Sequence, residues 1–303
     1  MRVALIHNPE AGGDDHPLAE ELIRLIRDAG HSVVYQSTTV NGWEQVLQED
    51  SDLVAVAGGD GIVSQVARRM IGDARPIAVL PVGTANNIAN ALTLRQRALD
   101  EWIRGWNDAG HQRFDAGVAT GPWGTRTFIE ALGVGLFADT MCCLDATNNI
   151  DIAHLNGAAE KLIAVLKIMR TRLAKSPAHP LHLVVDGDDL SGDYILVEVM
   201  NIRSVGPNLD LAPDADPRDG WFDVIVVAED DTQRLHEYLS KHIDGETNLP
   251  ALMTRRCQHV RIEGAALRIH IDDGLWPAEH SPPAAAIVDV QMAAGSLAML
   301  MPA

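Results

Sequence analysis

Aromatic side chains are scarce, 4% of 303 residues, so any core must be aliphatic, and a hydrophobic share of 47% supplies enough Ala, Val, Leu and Ile for that. Cysteine is nearly absent. Cys142, Cys143 and Cys257 form no CxxC pair and no disulfide framework, which argues against a stapled secreted scaffold and points to a reducing compartment. Basic residues are also short, 24 Lys and Arg against 42 Asp and Glu, for a net charge of -18. Such a balance argues against nucleic-acid binding and gives no global attraction to anionic membranes. There is no long apolar run either. The longest uncharged stretch, from Pro76 to Leu94, is interrupted by Pro81, Gly83 and three asparagines, which a membrane-spanning helix does not tolerate without partners. "MRVALIHNPE" is too short for the core of a signal peptide and reads as a first strand. These features predict a soluble, cytoplasmic protein long enough for two domains.

The first third alternates strand and helix signals. "RVALIH", "HSVVYQST", "DLVAVAGG" and "PIAVLPVG" read as strands, whereas "LAEELIRLIRDAG", with Leu18, Leu22, Leu25 and Ile26 at helical spacing, and "VSQVARRMIG" read as helices. Such alternation predicts a mostly parallel sheet covered on both faces, with ligands at the carboxyl ends of its strands. Those ends carry "HNPEAGG", "ST", "AGGDG" and "PVGTANN". After about Asp115 the runs become strand-like, from "RTFIEALGVG" to "AIVDVQM" and "SLAMLMP", with one helical stretch from roughly His154 to Lys175. This half is expected to be a β-sandwich.

In "GGDG", at 58 to 61, a strand stops in consecutive glycines before a helix, exposing backbone N–H groups that suit phosphate oxygens. A tight turn capped by Asp60 explains the same letters equally well. "PVGTANNIAN" repeats the arrangement with Thr84 at the turn, where the hydroxyl is either a ligand contact or a helix cap. In "DLAPDADPRDGWFD", Asp210, Asp214, Asp216 and Asp219 are hard oxygen donors of the kind Mg²⁺ or Ca²⁺ prefers, or else a solvated acidic turn. The offsets exclude an EF-hand, and His236 and His242 stand too far apart for an HExxH site. The helix after His154 sets Leu162, Val165, Leu166, Met169 and Leu173 on one face and basic residues around the remainder, for core packing or for transient contact with a membrane surface.

Taken in order, Asn8-Pro9 with Gly12, "GGDG", "GTANN" at 83 to 87, "GVG" at 133 to 135, "DPRDG" at 216 to 220 and "DDG" at 272 to 274 resemble the diacylglycerol kinase catalytic domain family. That family includes bacterial lipid kinases and sphingosine kinases and is distantly related to NAD kinases. The resemblance implies a Rossmann-like α/β nucleotide-binding domain over 1–115, with 286–303 returning to it, and a β-sandwich lipid-substrate domain over 116–285. It implies ATP as co-substrate, a lipid acceptor and Mg²⁺. By position, Asn8, Thr38, Gly58, Gly59, Asp60, Gly61, Thr84 and Asn86 would meet the nucleotide, and Asp216, Asp219 and the Trp221 carbonyl would hold the metal.

The chain also departs from the family's pattern. Leu275 stands where the family's "DGE" has its carboxylate, and leucine accepts no proton; Asp273, Asp272, Glu279 or Asp60 would have to substitute. Ile62 and Ala11 replace hydroxyls and Asn87 replaces a charge. The implied activity is an ATP-dependent lipid kinase acting on a diacylglycerol-like or sphingoid hydroxyl, with Asp60 and Asp273 as candidate catalytic carboxylates. The alternatives are NAD kinase and a catalytically silent relative that binds nucleotide or lipid.

Overall fold

The computed structural model describes residues 1–12, 16–94, 97–146, 152, 155, 157–277, 282 and 284–302. It divides into two compact units, residues 1–115 with 294–303, and residues 116–293.

The first unit alternates β1 (Arg2–His7), α1 (Ala19–Asp28), β2 (Ser32–Ser37), β3 (Leu53–Gly58), α2 (Asp60–Arg69), β4 (Ile77–Pro81), α3 (Asn87–Ala91) and α4 (Leu99–Arg104). The strands run parallel in the order β4-β3-β1-β2, with Val3 opposite Leu53, Leu5 opposite Tyr35 and Val56 opposite Val79. Val3 to Ile6 and Leu53 to Ala57 are wholly buried, as a parallel sheet covered on both faces demands. Helix α1 buries Leu22 and Ile26, but Leu18 is exposed because it sits at the N-cap in extended conformation, off the helical stripe. Helix α4 is anchored by the Trp102 indole N–H, which donates to the Val79 carbonyl at 3.0 Å.

The second unit is a β-sandwich with helices. Its chain order is β5 (Gly110–Gly121, which begins in the first unit), β6 (Gly124–Phe128), β7 (Ala131–Gly135), α5 (Leu136–Ala146), α6 (Ala158–Leu173), β8 (His179–Val185), β9 (Asp188–Asp189), β10 (Gly192–Met200), β11 (Phe222–Ala228), α7 (Thr232–Ile243), β12 (Met253–Cys257), β13 (His259–Gly264), β14 (Ile269–Ile271), β15 (Gly274–Trp276) and β16 (Ala286–Met301). The strand order is β15-β14-β7-β10-β8-β13-β16, with β11 also on β10 and β12 on β11. Strand β10 shows how both faces are filled. Val197 and Val199 enter one core with Val224, Val226 and Ile269, while Leu196 and Met200 enter another with Leu166, Met169 and Leu239 of α6 and α7.

Among the described residues of the second unit three α-helices are present where the sequence predicts one. Helix α5 is apolar around most of its circumference and so shows no stripe to read, whereas α7 does carry a stripe, Leu235, Tyr238 and Leu239, that the sequence reading passed over. The helix expected from His154 is described from Ala158, His154 itself lying outside the described residues. "AIVDVQM" and "SLAMLMP" are one strand rather than two: β16 pairs β13 over Ala286–Gln291 and β4 at Met299. Among the described residues no helix is long and apolar enough to cross a membrane.

Gly117 on β5 lies over the wholly buried Phe128, which stacks on Phe222 with ring centroids 5.6 Å apart. A Cβ on Gly117 would fall 2.1 Å from the Phe128 ring. Gly117→Ala is therefore expected to lower stability by about 1–3 kcal/mol through overpacking. Urea titration checks it, and adding Phe128→Leu should recover part of the loss; equal stability of Gly117→Ala and wild type would contradict the packing.

Candidate functional site

The loops after β1, β3 and β4 meet at the carboxyl ends of neighbouring strands, and the residues there are set mainly by backbone contacts. The Asn8 N–H donates to the Ala57 carbonyl at 2.9 Å, and its side-chain oxygen accepts from the Glu10 N–H at 3.1 Å. The Thr38 N–H donates to the His7 carbonyl at 2.9 Å, holding the end of β2 to the end of β1. Gly12 has φ +80°, and a Cβ there would lie 2.4 Å from the Val82 carbonyl oxygen, so the first loop packs against the third.

The glycines of "GGDG" and "GTANN" touch one another. A Cβ on Gly83 would fall 2.2 Å from the Gly59 Cα and 2.8 Å from its N, so only glycine lets the two turns close. A Cβ on Gly58 would fall 2.2 Å from Cγ2 of Ile62, which is 7% exposed. Ile62 therefore fills the space its glycine leaves and belongs to the core. Gly61 is the second residue of α2, so "GGDG" is in part the first helical turn.

Asp60 opens α2, yet its carboxylate accepts from the Ile88 N–H of α3 at 2.9 Å. Burial raises its pKa, against the backbone N–H groups of Ile88, Asn87 and Asn86, which pull it down. It thus ties the two helix starts together. Asn86, at φ 56°, is the N-cap of α3 and folds back on its own turn, accepting from the Gly83 N–H at 3.0 Å and donating to the Gly83 carbonyl at 2.8 Å. Thr84 is half-buried in this bend and does not cap the helix. The N-cap of α2 is Gly59, so no side chain caps that helix, and its first N–H groups suit an anion.

His7 went unnoticed in the sequence because it is a lone polar residue ending an apolar strand. It is 1% exposed, meets the Tyr35 hydroxyl at 3.1 Å through Nδ1 and His16 at 2.7 Å through Nε2, and stacks on the His16 ring. Burial, and then His16, lower its pKa to about 4.

In the second unit the acidic motif separates into two groups. Asp216 is held by Arg218 (Oδ1 to Nε 2.6 Å, Oδ2 to Nη2 2.9 Å), which keeps its carboxyl below the usual range. Asp219 accepts from the Trp221 N–H at 3.0 Å and from Arg256 at 2.5 Å. The two acids share one turn, the Asp219 N–H donating to the Asp216 carbonyl. Their oxygens have the right chemistry for a hard cation, but arginines occupy them, and among the described residues no three acidic, histidine or cysteine groups gather as a metal cluster.

Asp273 is exposed on the β14–β15 turn, and Glu279 lies outside the described residues. Asp272 is 3% exposed and committed: Oδ1 accepts from the Glu130 N–H at 2.8 Å and the Ile129 N–H at 3.1 Å. Leu275 pairs with His270, His270 and Glu198 both pair with Gly133, and so one rung of the sheet carries all four. A Cβ on Gly133 would collide with Glu198 at 2.1 Å; without it, Glu198 Oε2 reaches His270 Nε2 at 2.6 Å, both side chains being fully buried. Burial works against the imidazolium, but the Glu198 carboxylate beside it overrides this and holds the His270 pKa above the usual range. Sequence reading missed this pair because the residues are 72 positions apart.

Gly83→Ala is expected to destabilise the protein by about 3 kcal/mol, the upper end for overpacking, whereas Gly59→Ala, whose Cβ would sit 3.4 Å from Gly83, should cost under about 1 kcal/mol. Chemical denaturation of both variants checks the asymmetry. His7, with an unfolded value of 6.5, binds its proton less readily in the fold. Its contribution to stability is thus complete above 6.5 and falls away as the pH drops toward about 4. Urea midpoints across that window should fall more steeply for wild type than for His7→Gln; parallel curves would refute the assignment.

Residues 2–119 match the diacylglycerol kinase catalytic domain, and residues 144–297 match the YegS C-terminal NAD kinase beta sandwich-like domain. A diacylglycerol kinase of Mycobacterium tuberculosis (strain ATCC 25618 / H37Rv) is 28% identical over 254 residues, 80% of this chain and 77% of that one. A diacylglycerol kinase of Bacillus subtilis (strain 168) is 28% identical over 239 residues, 75% of this chain and 73% of that one. A crystal structure of a diacylglycerol kinase from Bacillus anthracis str. Sterne has a TM-score of 0.73 at 20% identity, covering 99% of this chain and 96% of that chain, a likeness of fold.

Proposed function

The chain belongs to the diacylglycerol kinase catalytic domain family, and on that premise we propose that it transfers the γ-phosphate of ATP to the hydroxyl of a diacylglycerol-like or sphingoid lipid. The observation that carries the reading is the closed joint of the Gly59 and Gly83 turns beside the uncapped start of α2. In this reading residues 1–115 take the nucleotide, with Asn8, Thr38, Gly58, Gly59, Gly61, Thr84 and Asn86 around it, and residues 116–285 take the lipid in the cytoplasm. The acceptor oxygen attacks the γ-phosphorus, its proton passes to a carboxylate, and the bond from phosphorus to the β–γ bridging oxygen breaks to release ADP. Asp60 is the first candidate for that proton, since a buried carboxylate with a raised pKa is a better acceptor than an ordinary one. Asp273 is the second, being exposed. Mg²⁺ bound with ATP would neutralise phosphate charge near Asp60; a separate Mg²⁺ site in the second unit would use Asp216, Asp219 and the Trp221 carbonyl, and only with Arg218 and Arg256 turned away. Core packing of α6 through Leu166, Met169 and Leu173, with Arg170 bonded to Ser240, leaves Lys161 and Lys167 for transient contact with the membrane surface.

A second reading, a catalytically silent relative that binds nucleotide or lipid, is favoured by one observation. Asp272 is occupied by backbone N–H groups, and Leu275 beside it has no proton-accepting atom.

Incubation with γ-labelled ATP and a lipid extract, with NAD in a parallel reaction, separates these readings. Chloroform-soluble label is expected, reduced by roughly 100-fold in Asp60→Asn, the scale of a lost general base. Label on NAD would indicate an NAD kinase. A thermal shift with ATP but no label anywhere would indicate the silent relative, in which Leu275→Glu with Ile62→Thr is then expected to restore turnover.

A further inference from the structure

The proton transfer described above makes no use of the Glu198–His270 pair, although a sheet interior is a costly place to keep two charges. Both side chains are fully buried, with Glu198 Oε2 at 2.6 Å from His270 Nε2, and among the described residues Glu198 Oε1 has no hydrogen-bond partner. Aliphatic side chains would fill the same layer without desolvating a charge, so packing alone does not account for the pair.

The imidazole has a second contact: its Nδ1 lies 3.3 Å from the Asp272 carbonyl oxygen. A carboxylate and a carbonyl are both acceptors, so each ring nitrogen faces an oxygen that calls for a proton. The form that satisfies both is the imidazolium, its charge balanced by Glu198 and its Nδ1–H directed at the backbone of the "DDG" turn.

Asp272 is held at each of its polar groups. Its N–H donates to the Ala131 carbonyl at 2.9 Å, its carboxylate accepts from the Glu130 and Ile129 N–H groups, and its carbonyl accepts from His270. It stands at φ 49°, a left-handed backbone that a residue with a side chain keeps where its surroundings hold it. The carbonyl that His270 meets belongs to the rigid peptide plane shared with Asp273, whose side chain is exposed. Fixing that plane fixes the point from which the Asp273 carboxylate projects.

We propose that His270, charged and oriented by Glu198, is a positioning residue for Asp273, holding the peptide plane from which that carboxylate receives the proton of the acceptor hydroxyl. No proton moves through His270 itself. The proposal rests on the lipid-kinase reading and concerns the second of the two carboxylates named there.

Two replacements of His270 separate positioning from packing, both made with Glu198→Gln so that no buried charge is stranded. His270→Gln sets an amide nitrogen where Nε2 stood and keeps the contact to residue 198. His270→Asn sets one where Nδ1 stood and keeps the contact to Asp272. The His270→Asn protein is therefore expected to have the lower urea midpoint but the higher kcat, with His270→Gln about tenfold or more below it in kcat at an unchanged KM for ATP. If stability and kcat rank the two alike, the role is structural only and the proposal fails. Asp273→Asn, at an exposed position, should lower kcat by itself and erase the difference between the two replacements; wild-type kcat in Asp273→Asn, or a difference that persists, would overturn the proposal. Amide hydrogen exchange at Glu130 and Asp272, measured without ATP or lipid, should be faster in His270→Gln than in His270→Asn, and equal rates would overturn it whether or not any lipid is phosphorylated. No label from the wild-type protein, with that difference in exchange present, would leave the hold on the turn standing and count against the lipid-kinase reading alone.

Discussion

Two backbones meet at Gly59 and Gly83 at a distance that leaves no room for a β-carbon on Gly83. The rest of the first unit's carboxyl edge is built around that contact. Once the turns are closed, Asp60 reaches the Ile88 N–H, Asn86 folds back on Gly83, and Gly12 can lie against the Val82 carbonyl. Each polar contact thus depends on a close approach that only missing side chains permit. The glycines have a structural duty before any ligand is considered, and the anion-binding character of the α2 start comes with it.

The second unit applies the same device to a sheet interior. Strands β7 and β14 and most of β10 are buried on both faces, so a polar side chain there must bring its own partner. Gly133 leaves the gap across which Glu198 reaches His270, and Phe137 of α5 closes over the imidazole with ring centroids 4.7 Å apart. Removing one member would leave the other as an uncompensated group in an apolar layer. The rung ends at Leu275, a half-buried aliphatic side chain opposite His270.

Charge in the acidic loop is distributed both by a neighbour in sequence, Arg218 beside Asp216, and by a tertiary contact, Arg256 on Asp219. Asp216 and Asp219 read alike with Asp210 and Asp214, yet Arg218, Arg256 and Arg203 neutralise three of the four. Arg218 stands inside the motif two residues from Asp216, but Arg203 and Arg256 come from other segments, so the linear motif alone did not tell a metal ligand from an ion pair. Asp272 was likewise indistinguishable from Asp273 until the strands placed it against the Ile129 and Glu130 N–H groups.

Alternating apolar runs and helical stripes were sufficient for the α/β unit, because period and burial are local properties written into each segment. The order of the short motifs was sufficient for the family. Helix α5 and the single long β16 were not legible, the first because an all-round apolar helix has no stripe, the second because Gly295 interrupts a strand whose two ends pair with different partners. Only the tertiary structure decided that Ile62 fills the space above Gly58, that His7 meets His16, and that Glu198 pairs with His270. These depend on distances between residues far apart in the chain, whereas sequence periodicity records only which way each residue faces from its own element.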